Sequence, residues 1–304
     1  MKPQTLSHVD SRTFAFAVIA PSLWATSFLA AKFAVSSIPP LTAAAFRFLL
    51  VAAVLWLMLW LFHQSQPVSW RDVPLLALTG LFQTTFYFAL QYSGLTVTTA
   101  SNGAILVNTR PIFVALIAIL FLHETFGRTE AMGIAVAFGG VMLITVQSSG
   151  PRLGLTSDHL LGDLLLLLNA ISGAVGLILT KRVLFSFKPL TALVYTNSCG
   201  ALGLLPFAAW ELAHGANVTS SSAAPWLVLI YQAVFTTVIA HLLWNTALAK
   251  VKASWAAVFL YITPVVAIVL SWIILGEPLT WPLMLGTALV ITGTHLVSRR
   301  GGGP

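Results

Sequence analysis

The sequence predicts an all-α polytopic membrane protein of ten transmembrane helices, built as two inverted five-helix halves with both termini cytoplasmic. Three observations lead there: an extreme composition, a one-sided distribution of basic residues, and a set of costly residues that occurs twice. Of the 304 residues, 58% are hydrophobic and 8% charged, and the mean hydropathy is +0.92. A soluble domain carries about 25% charged residues. A hydrocarbon core about 30 Å thick takes roughly 20 apolar residues per helical crossing. A membrane β-barrel would alternate apolar and polar positions over about ten residues, and LLGDLLLLLNAISGAVGLILT shows no such alternation.

The apolar runs place the helices at residues 14–35, 41–62, 73–93, 99–122, 128–147, 160–180, 190–212, 226–248, 254–275 and 281–297. The first run follows Lys2 and Arg12 and contains AAKFA, as a cleaved secretory leader would. Its counterpart in the second half is internal, and the run is long enough to span, so it is read as the first helix. Counting from a cytoplasmic N-terminus puts Lys2, Arg12, Arg71, Arg128, Lys181, Arg182, Lys188, Lys250, Lys252, Arg299 and Arg300 on one side or at its boundary. Only Lys32 and Arg152 fall on the other, which sets the orientation by the positive-inside rule. The formal charge of +7 is spread over several loops without interleaved exposed aromatics, which argues against a nucleic-acid surface. The single cysteine, Cys199, lies inside a span and has no thiol partner.

The second part of each half matches without a gap. Ala100 and Ser101 recur as Ala253 and Ser254, Pro111 as Pro264, Leu122 as Leu275, Glu124 as Glu277, Gly133 as Gly286 and Gly140 as Gly293. Earlier, Lys32 followed by Pro40-Leu41-Thr42-Ala43 recurs as Lys181 followed by Pro189-Leu190-Thr191-Ala192. An odd number of spans per half inverts the second half in the bilayer. Inverted repeats place a substrate site near the midplane and let one half rock against the other, giving alternating access. The expected units are residues 1–148, a periplasmic linker 149–159 rich in Ser, Gly and Pro, residues 160–298, and a short tail 299–304.

The segments LWATSFLAAKFAVSSIPPLTAAAFRF, ASNGAILVNTRPIFVALIAILFLHE and ASWAAVFLYITPVVAIVLSWIILGEPL resemble the two halves of an EamA-type carrier of the drug/metabolite transporter superfamily. The resemblance covers nearly the whole chain. It implies a five-plus-five inverted repeat and export of amino acids or other small metabolites across a bacterial inner membrane. The chain departs from the family at Arg110, where a small polar residue is usual before the proline, as Thr263 stands before Pro264.

Arg110 lies about midway along its span, where a charge costs at least roughly 2.5 to 3.5 kcal/mol. All eight acids, Asp10, Asp72, Glu124, Glu130, Asp158, Asp163, Glu211 and Glu277, fall in tails, loops or terminal turns. Carbonyls, Asn or Tyr side chains, water or an anionic substrate remain as partners, and a guanidinium offers a carboxylate a bidentate fork. Arg110 is therefore the first candidate for substrate binding, with Asn108 beside it and Tyr261 at the matching place in the second half. Trp24, Ser27, Gln83, Tyr87, Gln91, Asn102, Asn169, Trp244 and Asn245 are further candidates to line a cavity. Pro111 and Pro264 each remove a backbone hydrogen bond and are candidate hinges or gates.

Arg47 near the end of its span reads as snorkelling or helix packing, and Lys32 and Lys181 as anchors in the headgroup zone. Glu124 and Glu277 read as caps of the following helices. Only His241 among proton-relay residues lies well within a span, which favours facilitated efflux or exchange over proton coupling. Gly133, Gly139 and Gly140 form a small-residue face that serves packing within or between chains. No His-Glu-x-x-His, cysteine pair, phosphate-binding glycine loop or carboxylate cluster is present, so no catalytic residues, metal or cofactor are expected. The expected partners are a small-molecule substrate and membrane lipids. Within the superfamily, an organic-cation or multidrug efflux carrier is the alternative, and a polytopic enzyme a remote one.

Overall fold

A computed structural model describes residues 10–34, 37–63, 66–97, 106–122, 127–149, 160–217, 222–275 and 280–298, and the regular elements there are all helical. In chain order they are α1 (Ser11–Ala34), α2 (Pro40–Leu61), and α3 (Val73–Gly80), which runs through a π-helical turn (Leu81–Phe86) into α4 (Tyr87–Val97). Next come α5 (Arg110–Leu122), α6 (Arg128–Ser149), α7 (Leu160–Val183) and α8 (Pro189–Ala213). Then α9 (Ala224–Tyr231) runs through a second π-helical segment (Gln232–Ile239) into α10 (Ala240–Leu248). Last are α11 (Ala253–Val258), a 3-10 turn (Phe259–Tyr261), α12 (Ile262–Leu275) and α13 (Trp281–Ser298). Five stretches are long and apolar enough to cross a bilayer as they stand: Pro40–Leu61, Val73–Gln91, Leu161–Val183, Pro189–Ala213 and Ala224–Leu248. The chain is an all-α, multi-pass membrane protein.

Two spans expected to be continuous are interrupted. The fourth has a turn at Asn108 and Thr109 before α5 starts, and the ninth is split by the 3-10 turn between α11 and α12. Both interruptions precede a proline. Pro111 and Pro264 thus sit in the first turn of a new helix, where a missing N–H costs nothing.

The helices pack as two groups. The rod made by α3 and α4 packs on α7 and α8, and α5 packs on α7. On the other side, α1 packs on α9, α10 and α12, and α2 on the second π-helical segment. Each half thus lends its first helix to the opposite group. The two most extensive seams between the groups are α2 against α8, through Phe48, Val51, Leu55, Leu193, Ala201 and Leu204, and α6 against α13; α5 also meets α11, and α8 meets α10. The second seam is a glycine contact. A Cβ on Gly293 would lie 2.5 Å from the Ala137 nitrogen, and one on Gly140 would lie 2.6 Å from the Gly286 carbonyl. Of the three glycines read as a packing face, Gly133 and Gly140 serve this seam, whereas Gly139 has nothing within 4 Å. A small-residue stripe lets two backbones meet in a medium where apolar burial alone gives no drive to associate.

An apolar cleft of about 320 Å³ between α1, α12 and α13 is lined by Phe14, Val18, Ile262, Val265 and His295, among others. It places the start of α1 and the end of α13 at the same face of the molecule. At that face Asp10 pairs with Lys250, at the end of α10, at 3.3 Å.

Candidate functional site

The interruption of the fourth span is closed by short-range bonds. The Thr109 N–H donates to the Leu106 carbonyl at 3.1 Å, and the Ile112 N–H to the Thr109 carbonyl at 3.0 Å. Arg110 follows as the first residue of α5, projecting from a helix start rather than from the middle of a rod. Its Nη2 donates to Gln83 Oε1 at 3.4 Å, the long limit of a hydrogen bond, and its Cζ stands 5.3 Å from the Tyr87 ring centroid. Its Nε is buried with no partner. These contacts among the described residues include no carboxylate.

Room for the guanidinium comes from α7. A side chain at Gly173 would put its Cβ 2.8 Å from Arg110 Nε and 2.9 Å from the Tyr87 ring, and one at Gly176 would reach Gln83 Oε1 at 2.6 Å. The same helix face fixes the first π-helical turn. Asn169 Nδ2 donates to the Tyr87 carbonyl at 2.6 Å, and Ser172 Oγ to the Phe82 carbonyl at 2.9 Å. Since a carbonyl only accepts, Asn169 must present nitrogen there, which leaves its Oδ1 buried and unpartnered. A cationic donor with a long, weak bond, a ring beneath it and a partly exposed position at a helix break can exchange Gln83 for an anionic oxygen at little cost.

A second polar cluster forms on the opposite group, around the second π-helical segment. Trp24 Nε1 donates to the Thr236 carbonyl at 3.0 Å, and its ring packs on His241 and Trp244 with centroids 5.0 and 5.2 Å apart. His241 Nδ1 donates to the Thr237 carbonyl at 3.0 Å, which fixes the tautomer. Gln232 Nε2 donates to the Ser27 carbonyl at 2.9 Å and to its hydroxyl at 3.0 Å. Thr263, at the place matching Arg110, donates to the Pro21 carbonyl at 3.3 Å.

The candidate residues therefore divide. Arg110, Gln83, Tyr87 and Asn169 meet at one place, and Asn108 lies partly exposed in the turn before it. Trp24, Ser27 and Trp244 belong to the second cluster. Gln91 and Asn245 are buried, and Tyr261 is fully buried with its hydroxyl unpartnered. Asn102, Glu124 and Glu277 lie outside the described residues, as does the Lys32 side chain.

Two basic residues are held by neighbouring helices. Of the two readings of Arg47, helix packing holds and snorkelling does not. It is buried, donating from Nε to Thr237 Oγ1 at 3.1 Å and from Nη2 to Thr236 and Thr237 Oγ1 at 3.1 and 2.7 Å, with Phe48 and Phe88 rings 5.4 and 5.6 Å away. Two hydroxyls and two ring faces replace the headgroup water. Lys181 is no headgroup anchor either. It is buried, and its Nζ donates to the carbonyls of Leu248, Val251 and Ala249 at 2.7, 2.5 and 3.4 Å.

A clasp that sequence reasoning missed lies at the start of α2. The Glu211 carboxylate, in the last turn of α8, accepts from the Leu41 and Thr42 N–H groups at 3.1 and 2.7 Å and from the Thr42 hydroxyl at 2.8 Å. An acid in a last turn opposes its own helix dipole. That misfit was the available signal that Glu211 serves another helix.

Two segments, residues 12–146 and 160–299, each match the model of the EamA-like transporter family. An uncharacterized transporter of Archaeoglobus fulgidus is 29% identical over 297 residues, covering 96% of this chain and 99% of its own. The uncharacterized transporter YetK of Bacillus subtilis is 30% identical over 272 residues, covering 88% of this chain and 81% of its own. A crystal structure 18% identical in sequence aligns over 96% of this chain and 98% of its own, with a TM-score of 0.79, a likeness of fold.

Proposed function

Because the chain belongs to the EamA-like transporter family, and is thus a secondary transporter of the drug/metabolite transporter superfamily and no enzyme, we propose that it exports small metabolites bearing a carboxylate, foremost amino acids. Arg110 receives the carboxylate, and Gln83, Tyr87 and Asn108 complete its surroundings. The observation that carries this reading is the Arg110 guanidinium itself. It stands at a helix break in the expected fourth span, and among the described residues it meets Gln83, at the long limit of a hydrogen bond, and Tyr87, with no carboxylate beside it.

Alternating access follows from the duplicated architecture. Support comes from the paired irregularities: each half carries a π-helical segment in its third rod and a break before the proline of its fourth. Pro111 and Pro264 are the hinges of that motion, and the two halves are inverted about the midplane with both termini cytoplasmic, in a bacterial-type inner membrane. The Trp24, His241 and Trp244 rings favour a second reading, an organic-cation efflux carrier, since ring faces attract cations.

Counterflow in proteoliposomes decides between them. Vesicles preloaded with an unlabelled amino acid should accumulate trace labelled amino acid through the unaltered protein, and Arg110→Ala should abolish that accumulation at trace concentration. Accumulation unaffected by Arg110→Ala rejects the guanidinium as ligand. Accumulation of tetraphenylphosphonium and of no amino acid favours the cation carrier.

A further inference from the structure

Lys181 lies in the last turn of α7, a helix packed on α3, α4 and α5, whereas the carbonyls it holds lie at the end of α10 and in the link just past it, α10 being packed chiefly on α1. The ammonium thus bridges the two helix groups. Its acceptors are orphan carbonyls at the negative end of a helix dipole. Around it this face is closed by apolar packing: Ala253–Val258 are buried throughout, and Trp255, Val258 and Phe259 join one core with Leu177, Ile178, Val183, Leu248 and Val251. Residues 100–105, which match Ala253–Val258, lie outside the described residues; Leu106–Arg110 are all partly exposed, whereas Phe259 and Tyr261 in the matching stretch Phe259–Thr263 are buried. The described residues are therefore packed shut at the face where α1 begins.

We infer that Lys181 is the latch of the cytoplasmic gate. Its three carbonyl bonds hold the ends of α7 and α10 together while the site faces outward, and they must break before the site can open to the cytoplasm. The bonds are charge-assisted and buried, so they are stronger than neutral ones and costly to leave unmade. They are also local, so one step releases them. The inference rests on the alternating-access reading, and it concerns a residue that contacts no substrate.

Distances between spin labels on the full-length protein in lipid test it, in a Cys199→Ser background. One pair, at Ser186 and Lys250, reports the separation of the α7 and α10 ends. The other, at Ser37 and Ser93, reports the opposite face, near the ends of α1 and α4. Lys181→Met should shift the population roughly tenfold toward a longer Ser186–Lys250 distance and, in the same molecules, a shorter Ser37–Ser93 distance. Lys181→Gln, which keeps a donor, should give a smaller shift of the same sign and serves if Lys181→Met does not fold. Lengthening of the first distance with the second unchanged would make Lys181 a structural cap and overturn the latch, as would no change in either. Counterflow by the unaltered protein is read separately. Its absence alongside reciprocal distance changes would retire the carboxylate cargo and leave the latch standing.

Discussion

The two interrupted helices, one ending in α5 and the other made by α11 and α12, share a proline, a break and a place in the sequence pattern, yet differ at the residue before the proline. Thr263 settles onto the Pro21 carbonyl at 3.3 Å, a neutral bond between neighbouring helices. Arg110 has a bond at the long limit, a ring and an unpartnered Nε. One break is a packed joint and the other is a joint with a spare charge. The difference teaches that duplication gives both halves the same joint while a single divergent residue sets the charge placed there.

Making the joints alike is the strongest way to break this comparison. Arg110→Thr should lower the apparent affinity for a carboxylate cargo by about a hundredfold or more in counterflow, because a charge-assisted pair in a low-dielectric site is lost. An unchanged affinity would move the site elsewhere. Next, Gly173→Ala keeps the charge but pushes a methyl against Arg110 Nε and the Tyr87 ring. Overpacking of this kind costs about 1–3 kcal/mol, so transport should fall about tenfold and detergent melting should move lower as well. Thr263→Val removes the neutral bond and should alter transport and melting only slightly, by about 1 kcal/mol or less.

The smallest effect belongs to Asp10. It caps α1 by accepting from the Thr13 N–H at 2.9 Å, and hydrogen bonds from the Thr13 hydroxyl and then its N–H, with help from Lys250, hold its carboxyl below the usual 3.8. A depressed pKa in the folded state stabilises above the unfolded value and is lost as pH falls through the folded one. Asp10→Asn should therefore melt slightly lower than the unaltered protein at neutral pH, with the gap closing below about pH 4.

Much of this was legible beforehand, because the bilayer enforces it. A run such as PLTAAAFRFLLVAAVLWLMLWL has one stable conformation in hydrocarbon, so α2 and α8 were found to within a few residues. The π-helical segments were not, since one extra residue per turn leaves the hydropathy of LFQTTF and QAVFTTVI unchanged. Arg110 stood out by its cost alone, whereas its neighbour Gln83, on another helix, is a tertiary fact. Lys181 was misread for the same reason: near a helix end a basic side chain reads as a snorkel, and only the fold reveals carbonyls closer than the headgroups, just as only the fold decides for Arg47 between snorkelling and helix packing. The small residues Gly173 and Gly176 carried no sequence signal of their role, because clearance exists only between helices.

The unpaired guanidinium also has an electrical consequence. If an anionic carboxylate without an ammonium group neutralises Arg110, the loaded carrier changes face without moving net charge, whereas the empty carrier moves one positive charge between the two faces; a zwitterionic amino acid leaves the site at +1 in both steps. A potential negative inside is worth about 2.3 kcal/mol per charge for each 100 mV crossed. It would draw the empty site toward the cytoplasm and leave the loaded step untouched. Voltage alone would then bias the cycle toward export of net-anionic cargo, with no proton relay needed to give it direction, and would leave exchange of zwitterionic amino acids unbiased.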